Sequence, residues 1–246
     1  PALRLLWRVY HLWWGFQRAV LNRADAHLVD SETTRELLVK HRMTRNPMHV
    51  VLLGTEHPQV APKRAFAVQR TLVYMGSFMP YKNVDLLVRS MEHLPGYRLQ
   101  LMSRVAPAEQ ARLEALAPAG SLEFFNGASD EQYESAMKDA TALVTASRDE
   151  GFGLPVVEAM ALGTPVLISD IPIFREIGGE AAVFFDPDSI ESVVAGVRQL
   201  EDAEEWKRRS AASVAWAKRY NWPDAAKQLL AVLTSAAESR ASSRGR

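Results

Sequence analysis

The chain has 246 residues, 48% of them hydrophobic, with 29 lysines and arginines balanced by 29 aspartates and glutamates. That length allows one large domain or one and a half ordinary ones around a full core, and the charge balance removes any global attraction to nucleic acid or to an acidic partner. No cysteine occurs, which excludes disulfides, thiolate nucleophiles and cysteine-held metal and fits a reducing, cytoplasmic compartment. No apolar run reaches the roughly 18 residues of a membrane span, and no signal-peptide layout is present. Pro1 stands where a methionine would open a complete chain, so we expect a fragment whose start lies upstream.

Residues Leu3 to Leu21 are dense in aromatics: Trp7, Tyr10, Trp13, Trp14 and Phe16. Arg4, Arg8, His11, Gly15, Arg18 and Asn22 recur every three or four residues, which predicts a helix with one narrow polar stripe and apolar surface nearly all round. Such a helix needs cover. Two kinds meet the need: protein, including protein absent from this chain, or the headgroup level of a membrane, which would place the chain peripherally at its inner face. Ala26 to Val29 reads as a short strand, followed by a helix to Val39 that Asp30 or Ser31 can cap. A second strand, His49 to Leu53, ends at Gly54. Residues 55–70 carry Pro58, Pro62, Lys63 and Arg64 without periodicity and read as a linker, so a domain boundary falls there.

From Thr71 the pattern becomes regular. Apolar runs at Leu72–Met75, Leu99–Met102, Leu122–Phe125, Ala142–Thr145, Val166–Ile168 and Ala182–Phe185 alternate with helical stretches at Val84–Leu94, Ala108–Leu116, Asp130–Ala140, Val156–Leu162 and Ile190–Leu200. Strands without polar alternation are buried on both faces, and strand–helix alternation predicts an α/β fold with a doubly wound, parallel, Rossmann-like sheet. Ser129 with Gln132 forms a capping box, and Asp188 with Glu191 a variant of one. Two helices close the chain, Ala203 to about Arg219 and Asp224 to about Ala237, joined at Tyr220-Asn221-Trp222-Pro223. The tail, residues 239–246, lacks apolar residues other than Ala241 and reads as disordered.

In such a sheet, ligands bind beyond the carboxyl ends of the strands, near the switch point in strand order. The loops there are Gly76–Asn83, Ser103–Pro107, Asn126–Asp130 and Ser147–Leu154, and they hold unusual glycines and charges. The segment Ser147 to Asp170 places Glu150 and Glu158 with seven residues between them, Gly151, Gly153 and Pro155 among these, and Gly163 beyond the helix that Pro155 opens. The amino end of that helix attracts phosphate through free N–H groups and the helix dipole. The paired carboxylates could imitate a glycosidase acid and base, could accept hydrogen bonds from sugar hydroxyls beside the phosphate, or could be a loop charge and an ordinary helix residue. Gly76 to Asn83 is neither a dinucleotide fingerprint nor a Walker loop. It offers a glycine at a strand end and Lys82 at a helix start. There a cation opposes the dipole, so either an anion sits beside it or it is a solvated surface lysine. No aspartate stands ready for an NAD ribose, and the six histidines form no i, i+4 pair, so neither NAD nor a metal is expected.

Glu150-Gly-Phe-Gly-Leu-Pro-Val-Val-Glu158, followed by Ala-Met-Ala-Leu-Gly-Thr-Pro-Val and Ser169-Asp170, resembles the Glu-x7-Glu signature of the retaining glycosyltransferases of family 4, which have the two-domain GT-B fold. Glu176 to Pro187 and Gly76 to Asn83 extend the resemblance, and Ala24–Leu37 and the Trp222 helix do so more loosely. The resemblance implies that residues 71–222 form a nucleotide-sugar donor domain, residues 1–54 a remnant of the acceptor domain, and residues 223–238 a helix returning to it. By the same resemblance, Lys82 would meet the donor diphosphate, and Gly76 and Ser77 would belong to the donor-binding loop. The amides of Gly151, Phe152, Gly153 and Leu154 would surround sugar and phosphates, Glu150 would hold sugar hydroxyls and Glu158 the ribose. Lys82 and Glu150 would be the catalytic pair, with no metal and no cofactor beyond the nucleotide sugar itself. Two positions depart from the family's pattern. Ser77 stands where a second diphosphate cation is frequent, and Ser103 where a glycine is; Arg104 could supply the missing cation, and Arg104 with Gly127 would border the base or phosphates. The implied reaction moves a sugar, mannosyl or glucosyl among the candidates, to an acceptor hydroxyl on a glycan, glycolipid or other glycoconjugate. The competing expectation is a module that binds a nucleotide sugar without transferring it. A GT-B sugar epimerase fits less well, because those enzymes lack this form of the motif.

Overall fold

The computed structural model describes residues 13–58, 66 and 70–244. The expectations for Trp7, Tyr10 and the start of the aromatic helix, and for most of the linker, lie outside the described residues. The chain divides into two units, Pro1–Leu53 with Trp222–Arg246, and Gly54–Asn221.

In the first unit, helix α1 is described over residues 13–21, and strands β1 (His27–Val29) and β2 (Met48–Val50) pair in parallel with Leu28 opposite His49. Helix α2 (Glu32–Lys40) connects them, and of the two candidate caps Ser31 is the one used: its Oγ accepts the Thr34 N–H at 3.0 Å. On α1, Trp13 and Phe16 are 58% and 60% exposed. The closing helix α10 runs Trp222–Arg244, which corrects the expectation of a disordered tail at least as far as Arg244. The tail lacks apolar residues and so lacks a buried face, but alanine, glutamate and arginine are strong helix formers. Ser242 adds a hydroxyl bond back to the Glu238 carbonyl at 3.0 Å.

The second unit holds six parallel strands: β3 (Thr71–Tyr74), β4 (Arg98–Leu101), β5 (Leu122–Phe124), β6 (Ala142–Thr145), β7 (Val166–Ser169) and β8 (Val183–Phe185). Their order in the sheet is β5-β4-β3-β6-β7-β8. The chain therefore builds outward from β3 in one direction, returns, and continues from β6 in the other. The doubly wound expectation is met, and the switch point falls between β3 and β6. Every residue of β3, β6 and β7 is buried, as strands covered on both faces must be.

The covering helices are α3 (Val84–Ser90), α4 (Pro107–Glu114), α5 (Asp130–Asp139), α6 (Leu154–Ala161), α7 (Pro172–Gly178), α8 (Ile190–Gln199) and α9 (Ala203–Ala217). Helix α5 starts on the expected capping box, with Ser129 Oγ on the Gln132 N–H and Gln132 reaching back. Helix α8 corrects its cap: Ser189, not Asp188, accepts the Ser192 N–H, and Glu191 instead receives the Ser189 hydroxyl. Asp188 lies one residue too early and pairs with Arg148. Helix α7 is not anticipated by the periodicity. Trp206 of α9 is fully buried and donates its indole N–H to the Thr141 carbonyl at 2.8 Å, which ties α9 to the start of β6.

Candidate active site

The loops after β3 and β6 are neighbours because those two strands are hydrogen-bonded at the switch point. The first passes through a short 3-10 turn, Pro80–Lys82, and the second through Ser147 to Gly153 before entering α6. They meet at one contact: Lys82 Nζ lies 2.5 Å from Glu150 Oε1, with the side chains only 16% and 13% exposed. The anion that a lysine before a helix calls for is thus supplied by the chain itself. Ser147 also donates its hydroxyl to Glu150 Oε1 at 2.7 Å, and the Arg148 N–H is donated to the Tyr81 carbonyl at 2.8 Å, so the two loops are stitched through side chain and backbone. Beneath them, fully buried Tyr74 donates to the Ser77 carbonyl at 2.6 Å. Burial first and the Glu150 charge second push its phenol well above the ordinary range, so it remains a donor.

Past Glu150 the backbone turns through Gly153 at φ +98°, where a Cβ would also come within 2.8 Å of the Phe174 ring. Only glycine takes that position without strain. Phe152 is buried against Tyr220, ring centroids 5.8 Å apart at 87°, which pins the loop from below. The amides of Gly151, Phe152, Gly153 and Leu154 are donated to no acceptor among the described residues. Pro155 follows with no N–H at all. Four consecutive amides without acceptors lead into the amino end of α6, an arrangement suited to an anion.

Glu158 sits further along α6, and Tyr133 of α5 donates its hydroxyl to Glu158 Oε2 at 2.9 Å. On the β4 side, Ser103 accepts the Gly76 N–H at 3.1 Å and donates to Met75 Sδ at 3.3 Å, so the serine that departs from the resemblance holds the β3 loop in place. The Arg104 side chain lies over Gly127, where a Cβ would meet its Cγ at 2.8 Å. Arg104 is exposed and makes no ion pair among the described residues. Ser77 contributes its carbonyl to Tyr74 and no charge. No group of three or more histidines, aspartates or glutamates with a metal-binding arrangement occurs among the described residues.

The profile of the family described as glycosyl transferases group 1 matches residues 59–240 of the chain. The chain belongs to this family. Among curated relatives, the O-antigen chain mannosyltransferase B of Escherichia coli is 29% identical over 70% of this chain and 47% of its own length. The MMP alpha-(1->4)-mannosyltransferase of Mycolicibacterium hassiacum is 27% identical over 80% and 51%. The GDP-mannose:cellobiosyl-diphosphopolyprenol alpha-mannosyltransferase of Xanthomonas oryzae pv. oryzae is 27% identical over 86% and 59%. The chain spans about half the length of these relatives. Among solved structures, sucrose-phosphate synthase from Thermosynechococcus elongatus superposes with a TM-score of 0.78 at 24% identity, covering 92% of this chain and 62% of that one. The Anabaena protein HepE, solved with UDP and glucose, superposes with a TM-score of 0.73 at 17% identity, covering 90% and 66%. These likenesses show the fold, that of GT-B glycosyltransferases, as the sequence motif implies.

In this member of the family, Lys82, Glu150 and the amides 151–154 are brought to one edge, with Glu158 on the same helix and Arg104 with Gly127 across the sheet's switch point. Three participants escape a reading of the sequence. Ser147 stands three residues before Glu150 and could be found by asking what holds that carboxylate. Tyr133 and Tyr74 carry no local signal, because each depends on which strands are neighbours.

Proposed function

We propose that this chain carries the nucleotide-sugar half of a retaining glycosyltransferase. The single observation that supports this best is the run of four uncommitted amides beside the Lys82–Glu150 pair at the switch point. Lys82, the amides of Gly151 to Leu154 and Arg104 meet the donor diphosphate, with Gly76 leaving room for the Tyr74 hydroxyl beneath the loop and Gly127 for the Arg104 side chain. Glu150 accepts from sugar hydroxyls and Glu158 from the ribose. The bond between the anomeric carbon and the diphosphate oxygen breaks, the acceptor oxygen bonds to that carbon on the same face, and the acceptor proton passes to the departing diphosphate. Charge grows on that diphosphate, so preorganised positive groups there lower the barrier. Glu150 is a sugar anchor in this scheme and not a general base. No metal and no cofactor is assigned.

Mannosyl transfer heads the donors, since several relatives carry that name; glucosyl remains the other candidate. The Xanthomonas relative's name includes a diphosphopolyprenol. A lipid-linked or glycan acceptor, reached from the cytoplasm at the periphery of a membrane, is the setting we propose. No helix among the described residues is long and apolar enough to cross a membrane. A second reading, a binding module that depends on another domain or chain for transfer, is favoured by the exposed aromatics Trp13 and Phe16 of α1, which call for cover.

One experiment tests both. The chain is screened by thermal shift with UDP, GDP and ADP, since a bound ligand raises apparent stability by mass action, and is then incubated with the matching radiolabelled nucleotide sugars. Stabilisation with release of diphosphate supports the transferase. Stabilisation without release assigns the module role, and no stabilisation by any of the three overturns the site.

A further inference from the structure

Tyr133 occupies the first turn of α5, held there by the Ser129 capping box and by its own N–H on the Ser129 carbonyl at 2.9 Å. Its ring is half-buried, and a buried phenol needs a partner for its hydroxyl. The partner it takes, at 2.9 Å, is Oε2 of Glu158 on the neighbouring helix α6. Among the described residues that is the only side-chain hydrogen bond made to the Glu158 carboxylate, so Oε1 stays available. A glutamate on a helix can swing through several rotamers, and binding must freeze them. One that is already held by a phenol has less to lose.

We propose that Tyr133 is a positioning residue for donor recognition: it fixes the Glu158 carboxylate so that Oε1 faces the ribose hydroxyls, and thereby makes the site select a ribonucleoside diphosphate over its deoxy forms. The inference rests on the reading of Glu158 as the ribose acceptor. Burial, with the Glu158 charge after it, pushes the Tyr133 phenol far above its ordinary value, so the proton stays on the tyrosine and the hydroxyl is a permanent donor.

The test uses whichever of UDP, GDP or ADP stabilises the parent chain most, together with its 2′-deoxy and 3′-deoxy forms, titrated by calorimetry into the parent, Tyr133→Phe, Glu158→Ala and the double variant. Tyr133→Phe is expected to weaken the ribonucleotide about 5-fold, within the range of one charge-assisted hydrogen bond, and to leave at least one deoxy form unchanged. In the double variant the tyrosine change adds nothing to Glu158→Ala, because it acts through that carboxylate. Equal weakening of ribo and deoxy forms by Tyr133→Phe means the tyrosine only packs the helix, and unchanged ribonucleotide affinity means it does not position Glu158; either result overturns the inference while leaving Glu158 in its place. If Glu158→Ala binds the ribonucleotide as tightly as the parent, the reading of Glu158 is what falls. The melting temperature of each variant separates loss of fold from loss of binding.

Discussion

Lys82 and Glu150 are bound to each other: Nζ and Oε1 stand 2.5 Å apart, with 16% and 13% of the side chains exposed. In the proposed reaction the two serve different parts of the donor, the lysine its diphosphate and the glutamate its sugar. The chain therefore pairs its cation with its own anion. A largely buried lysine without a partner would be costly, and Glu150 supplies that partner; in the proposed reaction phosphate takes the place of the carboxylate. The Ser147 hydroxyl, 2.7 Å from the same Oε1, remains as a donor when Lys82 turns to phosphate.

Replacing Lys82 by alanine in the enzyme carrying both halves is expected to lower kcat/KM by about 2–4 kcal/mol, the scale of one preorganised charge partner. Initial rates across donor concentrations measure it. A loss of less than about threefold removes Lys82 from the phosphate site.

Glu150→Gln divides binding from turnover. The free nucleoside diphosphate finds Lys82 released from its counter-ion, and its affinity is expected to hold or to rise by about threefold, the worth of a modest ion pair. Turnover of the nucleotide sugar falls at least about tenfold, since a sugar anchor is gone. Calorimetry with the diphosphate and rate measurements with the sugar nucleotide make the comparison. If the diphosphate affinity falls along with turnover, Glu150 serves to hold Lys82 and not the sugar.

Much of this architecture is legible in the residues because the sheet is parallel and doubly covered. Ala142–Thr145 is a run of residues buried on both faces, and a strand there follows from composition alone. The Glu150 loop and α6 are likewise legible, since glycines, Pro155 and an apolar helix follow one another without a gap. Helix α7 is not: its seven residues, Pro172–Gly178, make too few turns for a period to show. Lys82 and Glu150 are 68 residues apart, and their contact depends on β3 lying beside β6, which no local pattern reports. The same holds for Tyr133 and Glu158, 25 residues apart on helices that flank β6. The end of α10 is missed for a different reason. Composition reports the lack of a buried face, and a helix can continue without one.

Trp206 should dominate the stability of the second unit. It is fully buried, its indole N–H reaches the Thr141 carbonyl at 2.8 Å, and Phe66 packs edge-on with ring centroids 5.9 Å apart. Trp206→Ala is expected to cost about 3–5 kcal/mol, and Trp206→Phe about 1–2 kcal/mol for one hydrogen bond and a partial void. Denaturant unfolding followed by circular dichroism gives both values. Equal costs for the two variants would show that the hydrogen bond, and not the packed ring, carries the effect.

Acid should loosen the attachment of α9 through Glu205. Its Oε1 receives Arg209 Nε and Gln199 Nε2, each at 2.8 Å, while Arg208 Nε reaches Oε2 at 2.8 Å. Arg209 in turn donates to the carbonyls of Glu180 at 2.9 Å and Ala182 at 2.7 Å, ahead of and at the entry to β8. The Arg209 guanidinium first, opposed by burial and then helped by Arg208 and Gln199, pulls the Glu205 carboxyl from 4.5 down to about 2. A group with a depressed folded pKa gives stability that is complete above its unfolded value and is lost as pH falls toward the folded one. The contribution of Glu205 is therefore present above about pH 5 and drains away between there and about pH 2. The parent's denaturant midpoint should fall more steeply over that window than that of Glu205→Gln, whose amide does not titrate. Parallel curves would mean that the Arg209 link between α9 and the β8 entry does not depend on the carboxylate charge.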